Sequence, residues 1–272
     1  MRTSLAFTLR EQPSQRLDLA PLTPDQLLGL SESKIATLEI QTTRERLRVG
    51  DLFKIRMGDA MQIRFEGGSE RFDRVGAGMS KGQITVEGDV GIQAGRLMQG
   101  GTLKINGNAG PWTASRMGGG TLIVSGHTDE RVGGPLAGET VGMRGGIVIL
   151  RGDAGDRTGD RMRRGTIIVE GKAGICAGSR MIAGTLVLRG RVGSLPGYLM
   201  RRGTIFAMNG SDALSPTFVD SGEHELTANT LLASYITVHS PDVAAMLRRP
   251  WRRLVGDMAV IGKGEIFYPQ AQ

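Results

Sequence analysis

One cysteine, Cys176, three histidines, and an aromatic set of seven Phe, three Tyr and two Trp are all that 272 residues contain of these types. A lone thiol excludes an intramolecular disulfide framework and a cysteine-only zinc site, and it suits a reducing compartment. No apolar run approaches a membrane span, and Met1-Arg-Thr-Ser-Leu-Ala-Phe7 has no signal-peptide core. A cytoplasmic chain with no membrane partner is therefore expected. The sequence also lacks a P-loop, a zinc spacing and any nucleophile with a plausible base, so no catalytic residue and no metal ligand are assigned. A helical 3.6-residue pattern is missing throughout residues 62–207.

Glycine and arginine fill the gap. There are 42 glycines, about twice the usual share. They have neither the three-residue period of collagen nor the Ser/Pro enrichment of a linker, and they favour tight turns. Of 34 cations, 28 are Arg, and the net charge is +7. Nucleic acid is the usual partner of such a charge, but the chain has no aromatic stacking platform or recognisable binding module, so none is expected.

Seven times the chain writes Met-x-x-Gly ahead of an apolar run. The Met residues are 79, 98, 117, 143, 162, 181 and 200, at spacings of 19 residues with one of 26. A fixed period of this length is one supersecondary unit stacked on itself. The second and fourth residues after each leading Gly are apolar, as in Ile84/Val86, Leu122/Val124 and Ile167/Val169, which is a strand with one face inward. Four rungs carry G-x-x-G-x-x-x-G, for example Gly171/Gly174/Gly178, and a fifth has Ala114 at the last place. Nineteen residues hold two or three short strands and their corners, with no room for a helix. The expected fold is all-β, a right-handed parallel β-helix: a single-stranded solenoid of about 19 residues per rung.

Three segments follow. Residues 1–60 form an amino-terminal cap, with a helix signal at Thr23-Pro-Asp-Gln26 and strands at Ile35–Ile40 and Leu52–Ile55. Residues 61–207 form the rungs, with a seven-residue insertion within 127–141. Residues 208–272 form a carboxy-terminal cap with a helix signal from Ser240 to Leu247. The Met column is read as thioether filling of the coil centre rather than a copper ladder. His127, Asp129 and Glu130, near the insertion, are read as a solvated turn rather than a metal site.

Two outward columns stand apart. Ile123, Ile149, Ile168, Val187 and Phe206 occupy the third place after the leading Gly, which should face outward. Such a patch must be covered, either by the chain's own ends or by another protein, and it is a candidate interface. Beside the Met column stand Arg144, Arg161, Arg163, Arg180 and Arg201, at a mutual repulsion of about 0.8 kcal/mol per stacked pair in water. They form a solvated basic face, a track for a polyanion, or a dock for an acidic partner surface.

The G-x-x-G-x-x-x-G rungs resemble the carboxy-terminal β-helix domain of the large glutamate synthase subunit. Val49-Gly-Asp-Leu-Phe53, the rung Gly165-Thr-Ile-Ile-Val-Glu-Gly171 and the preceding Arg161-Met-Arg-Arg-Gly165 bring the whole chain, roughly residues 25–265, nearer to another family. That family comprises the C subunit of formylmethanofuran dehydrogenase and its counterpart in bacterial formyltransferase/hydrolase complexes. The resemblance implies a non-catalytic scaffold in one-carbon metabolism. It also implies partners: an amidohydrolase-like A subunit, a B subunit and a formyltransferase D subunit. The implied cofactor is of the methanofuran type, whose glutamate-rich tail would be the polyanion for the arginine column. The Arg-rich composition favours the bacterial version, which converts formyl-tetrahydromethanopterin to formate, over the tungsten or molybdenum redox enzyme. A stand-alone β-helix enzyme, such as a lyase or acyltransferase, is the other class; neither its cluster of Asp, His or Arg on one face nor hexapeptide periodicity is found.

Overall fold

The structure, a computed structural model, describes residues 3–260 and 262–269. The amino-terminal segment contains β1 (Ser4–Leu9), β2 (Leu17–Asp18), α1 (Pro24–Leu27), α2 (Glu32–Ala36), β3 (Glu39–Thr42), β4 (Arg46–Arg48), α3 (Val49–Leu52) and β5 (Phe53–Arg56). The repeats contain β6 (Asp59–Glu66), β7 (Phe72–Asp73), β8 (Gln83–Val86), β9 (Thr102–Ile105), β10 (Thr121–Val124), β11 (Arg144–Leu150), β12 (Arg164–Val169), β13 (Thr185–Leu188) and β14 (Arg202–Ala207). The carboxy-terminal segment adds β15 (Val219–His224), α4 (Thr227–Ile236), α5 (Pro241–Leu247), β16 (Trp251–Gly256) and β17 (Lys263–Tyr268). Among the described residues, no helix is long and apolar enough to cross a membrane.

Strands β6, β8–β14 and β17 pair in parallel and in order within a 13-stranded sheet, so each rung lies on the last. Register holds from rung to rung, as in Leu122↔Val148, Val148↔Ile167 and Ile167↔Leu186. A second line of single-residue bridges runs up another side, from Val90 through Ala109, Thr128, Ala154, Ala173 and Val192 to Ser211. The molecule is a parallel β-solenoid. Its ladder does not close with β14: β17, from near the end of the chain, pairs with it in parallel.

The Met-x-x-Gly phrase has a packing reason. A Cβ built on Gly165 would lie 2.8 Å from the Gly146 carbonyl oxygen and 2.9 Å from Cε of Met143, and Gly165 has a φ of +92°. The thioether methyl of one rung therefore sits where the glycine of the next lacks a side chain. Met79, Met98, Met117, Met143, Met162, Met181 and Met200 are all fully buried. Packing accounts for the column without a metal.

Most of the scarce aromatics gather at the ends. Phe7, Phe53, Phe65 and Phe72 form an edge-to-face and stacked cluster under the amino-terminal cap. Phe206 stacks on Phe267 and meets Trp251 edge-on at the other end. Large rings close terminal rungs whose faces have no further rung to cover them.

The flanks differ from expectation in places. Where a strand is expected at Ile35–Ile40, residues Glu32–Ala36 form α2, with Ser31 Oγ accepting from the Lys34 amide, and β3 starts only at Glu39. Thr23 precedes α1 without a side-chain cap. Helix α4 carries no strong sequence signal, yet it decides the outward apolar column. Ile149, Ile168, Val187 and Phe206 are buried in a second core with Ala233, Ile236, Val243, Ala244, Leu247 and Trp251, and Ile123 packs partly buried at its margin. The candidate interface at these four positions is thus corrected: α4 and α5 of the same chain occupy the surface that a partner would need. Arg151 fixes the pair by donating to the His239 carbonyl at 2.7 Å and to Ser240 Oγ at 3.1 Å.

Ile168→Ala should therefore destabilise the isolated chain by about 2–4 kcal/mol. In denaturant unfolding with limited proteolysis, cleavage between residues 225 and 250 should accelerate. An unchanged midpoint and an unchanged cleavage pattern would show that the helices do not depend on this column.

Candidate functional site

At one corner of every rung but that of Met143, the residue before the Met turns left-handed. Leu97, Arg116, Arg161, Arg180 and Leu199 have φ between +50° and +57°. Non-glycine residues seldom adopt this conformation, and here inter-rung hydrogen bonds impose it. The Arg161 amide donates to the Ser179 carbonyl at 2.9 Å, and the Arg180 amide to that of Tyr198 at 2.7 Å. Consecutive arginine side chains thus leave the solenoid from equivalent corners, about 4.8 Å apart.

Three of the five predicted arginines converge. Arg161, Arg180 and Arg201 line a cleft of about 580 Å³ together with Thr140, Val141, Ile182, Leu199 and Val260. Arg144 and Arg163 are exposed and lie outside its lining. Among the described residues, no carboxylate lies within ion-pair distance of Arg180 or Arg201, and the buried Nε of Arg180 has no hydrogen-bond partner. A buried guanidinium N–H without an acceptor is costly. The cleft therefore offers several donors, a fixed positive charge and an apolar floor. Its chemistry fits carboxylates.

The inserted loop supplies the residue that sequence reasoning missed. Glu139 accepts from Arg96 through both oxygens, at 2.7 and 3.3 Å, from Arg116 at 3.0 Å and from the Leu136 amide at 2.9 Å. Arg161 donates to the Glu139 carbonyl oxygen at 3.0 Å. The Arg96 hydrogen bonds, helped by the Leu136 amide and Arg116, pull the Glu139 carboxyl down to a pKa of about 2. Arg96 and Glu139 are 43 positions apart, so only the fold brings them together. The one available signal was an acidic residue in the insertion opposite a row of arginines.

The residues that suggested a cluster near the insertion have another role. The amide of Asn108 donates to Asp89 Oδ1 at 2.7 Å, that of His127 to Asn108 Oδ1 at 2.8 Å, and that of Asp153 to His127 Nδ1 at 3.0 Å. His127 is thus one step in a side-chain ladder between rungs. Glu130 reaches only Arg131, at 3.8 Å. Among the described residues, no three His, Cys, Asp or Glu side chains are placed to hold a metal ion.

A GXGXG motif family model matches residues 69–243. The chain is 48% identical over 83 residues to the C subunit of the formyltransferase/hydrolase complex Fhc of Methylorubrum extorquens, an alignment covering 30% of this chain and 31% of that protein. It also superposes with a TM-score of 0.93, at 43% identity, on a chain from the X-ray crystal structure of the formyltransferase/hydrolase complex (FhcABCD) from Methylorubrum extorquens in complex with methylofuran. That match covers 98% of this chain and 100% of the other.

Glu139 has a testable pH signature. Its folded pKa lies below the ordinary value of 4.5, so its stabilisation is fully present above about pH 5 and is lost as pH falls toward about 2. Relative to Glu139→Gln, the wild type should be more stable by on the order of 2–3 kcal/mol at neutral pH. Chemical denaturation from pH 7 to pH 2.5 should show that gap shrinking. A gap independent of pH would remove the charge on Glu139 as its source.

Proposed function

Because the chain belongs to the GXGXG motif family, we propose that it is the C subunit of a formyltransferase/hydrolase complex, a scaffold in one-carbon metabolism. The observation that carries this reading is the superposition over nearly the whole chain, at 43% identity, on a chain of such a complex. On this reading the solenoid is right-handed and works in the cytoplasm. It positions an amidohydrolase-like A subunit, a B subunit and a formyltransferase D subunit, which convert formyl-tetrahydromethanopterin to formate. The chain contributes surface rather than reacting groups.

The site's contribution is tethering. A methanofuran-type cofactor carries the formyl group when bound, and its tail is rich in glutamate. Arg161, Arg180 and Arg201 present guanidinium groups from successive rungs, and the unpartnered Nε of Arg180 suits a carboxylate acceptor. Each exposed contact is weak, but several along one chain would hold the tail locally and raise the effective concentration of its head group near the neighbouring subunits. Thr140, Val141, Ile182, Leu199 and Val260 complete the lining around the guanidinium groups. Arg144 and Arg163, exposed nearby, would extend the positive field that steers the tail toward the cleft.

The test is Arg180→Glu with Arg201→Glu in the assembled complex. Assembly should survive on size-exclusion chromatography. Use of long-tailed cofactor should fall by roughly tenfold or more, as expected for two lost charge-assisted contacts, and a short-tailed analogue should be used almost as before. Equal activity on both tail lengths would reject the tether. Loss of assembly would identify the cleft as a dock for an acidic subunit surface.

A further inference from the structure

The extra residues of the long rung form one continuous loop. Gly133 stands in the column of Gly95, Gly159 and Gly178, and Gly142-Met143 in that of Arg161-Met162 and Arg180-Met181. The insertion is therefore Pro135–Val141, and joining Gly134 to Gly142 would restore the 19-residue period. The loop leaves the solenoid where the arginine row is interrupted, since Gly142 occupies the place that Arg116 and Arg161 hold on either side. No side chain fits at that place. A Cβ on Gly142 would lie 2.3 Å from the Gly133 carbonyl oxygen and 2.7 Å from that of Asp160.

From this gap the loop turns back over the row. Its Glu139 carboxylate takes Arg96 and Arg116, both more than two-thirds buried, and its carbonyl takes one Nη of Arg161. The next two residues, Thr140 and Val141, form a wall of the cleft in which Arg180 and Arg201 have no such partner. One end of the row thus already holds a glutamate carboxylate, supplied by the chain itself. The other end is open.

We infer that Pro135–Val141 is a built-in end-stop, with Glu139 standing in for an incoming carboxylate at Arg96 and Arg116. An acidic chain is then seated only over Arg161, Arg180 and Arg201 and ends against Thr140–Val141. The inference rests on the reading of the row as a carboxylate track, and it adds polarity and length to it. Three rungs at about 4.8 Å span roughly 10 Å, the reach of about three or four residues of extended chain at ~3.3 Å each. The loop therefore fixes how much of a long acidic tail this subunit holds, and from which side the tail arrives.

Binding of fluorescein-labelled oligoglutamates of two, four, six and eight residues to the full chain, followed by anisotropy at low salt, tests the proposal. Wild type should tighten up to about four residues and then level off. The variant joining Gly134 to Gly142 should continue to tighten through eight residues, binding the longest peptide roughly fivefold or more better than wild type, because Arg96 and Arg116 become available. Glu139→Gln keeps the loop and removes its charge; it should move in the same direction, and it serves if the shortened chain does not fold. The same length dependence in all three, with binding lost in Arg180→Gln, would overturn the end-stop and leave the carboxylate track standing. No binding by any of them would overturn the track and the end-stop together.

Discussion

The fit of a methionine methyl under the glycine of the next rung is the contact on which the rest of the solenoid depends. Met143 Cε fills the space that a side chain on Gly165 would need, and Met162 stands in the same relation to Gly184. This allows the backbones to stack at hydrogen-bonding distance on the sheet side while the coil centre stays filled. It also fixes what the neighbouring residues do. The position before the Met turns left-handed in every rung but that of Met143, and at Arg116, Arg161 and Arg180 it carries a charge outward. The position three after each Gly faces away from the coil, and where it is apolar, from Ile149 to Phe206, it is covered from outside.

The two outward columns take different routes from that constraint. The apolar one is answered within the chain, by α4 and α5 lying across Ile149, Ile168, Val187 and Phe206. The basic one is answered within the chain only in part, by Glu139 at Arg96 and Arg116. What stays unneutralised over Arg180 and Arg201 is where electrostatics favours an external anion. A solenoid built this way presents a rigid, repetitive surface, and the Pro135–Val141 loop marks where the charge balance changes.

Legibility from sequence followed the range of the interactions involved. The Met and Gly columns are local and periodic, so the rungs could be read from spacing alone. Helix α5 carries Pro241 in its first turn, a local signal. Helix α4 buries only Asn229, Ala233 and Ile236, too narrow an apolar face to declare itself. The pairing of β17 with β14 and the grip of Arg96 on Glu139 join distant segments, and neither leaves a trace in local pattern. Of the five arginines in the expected track, Arg161 and Arg180 precede a Met at the left-handed corner, whereas Arg144, Arg163 and Arg201 follow one; of those three only Arg201 lines the cleft, a difference that spacing alone does not carry.

Electron cryomicroscopy of the assembled complex, purified with its cofactor, tests the tethering role proposed for the cleft most directly. Unbranched chain density should run over Arg161, Arg180 and Arg201 and stop at Thr140. A cleft filled by the ordered side chains of a neighbouring subunit would contradict it.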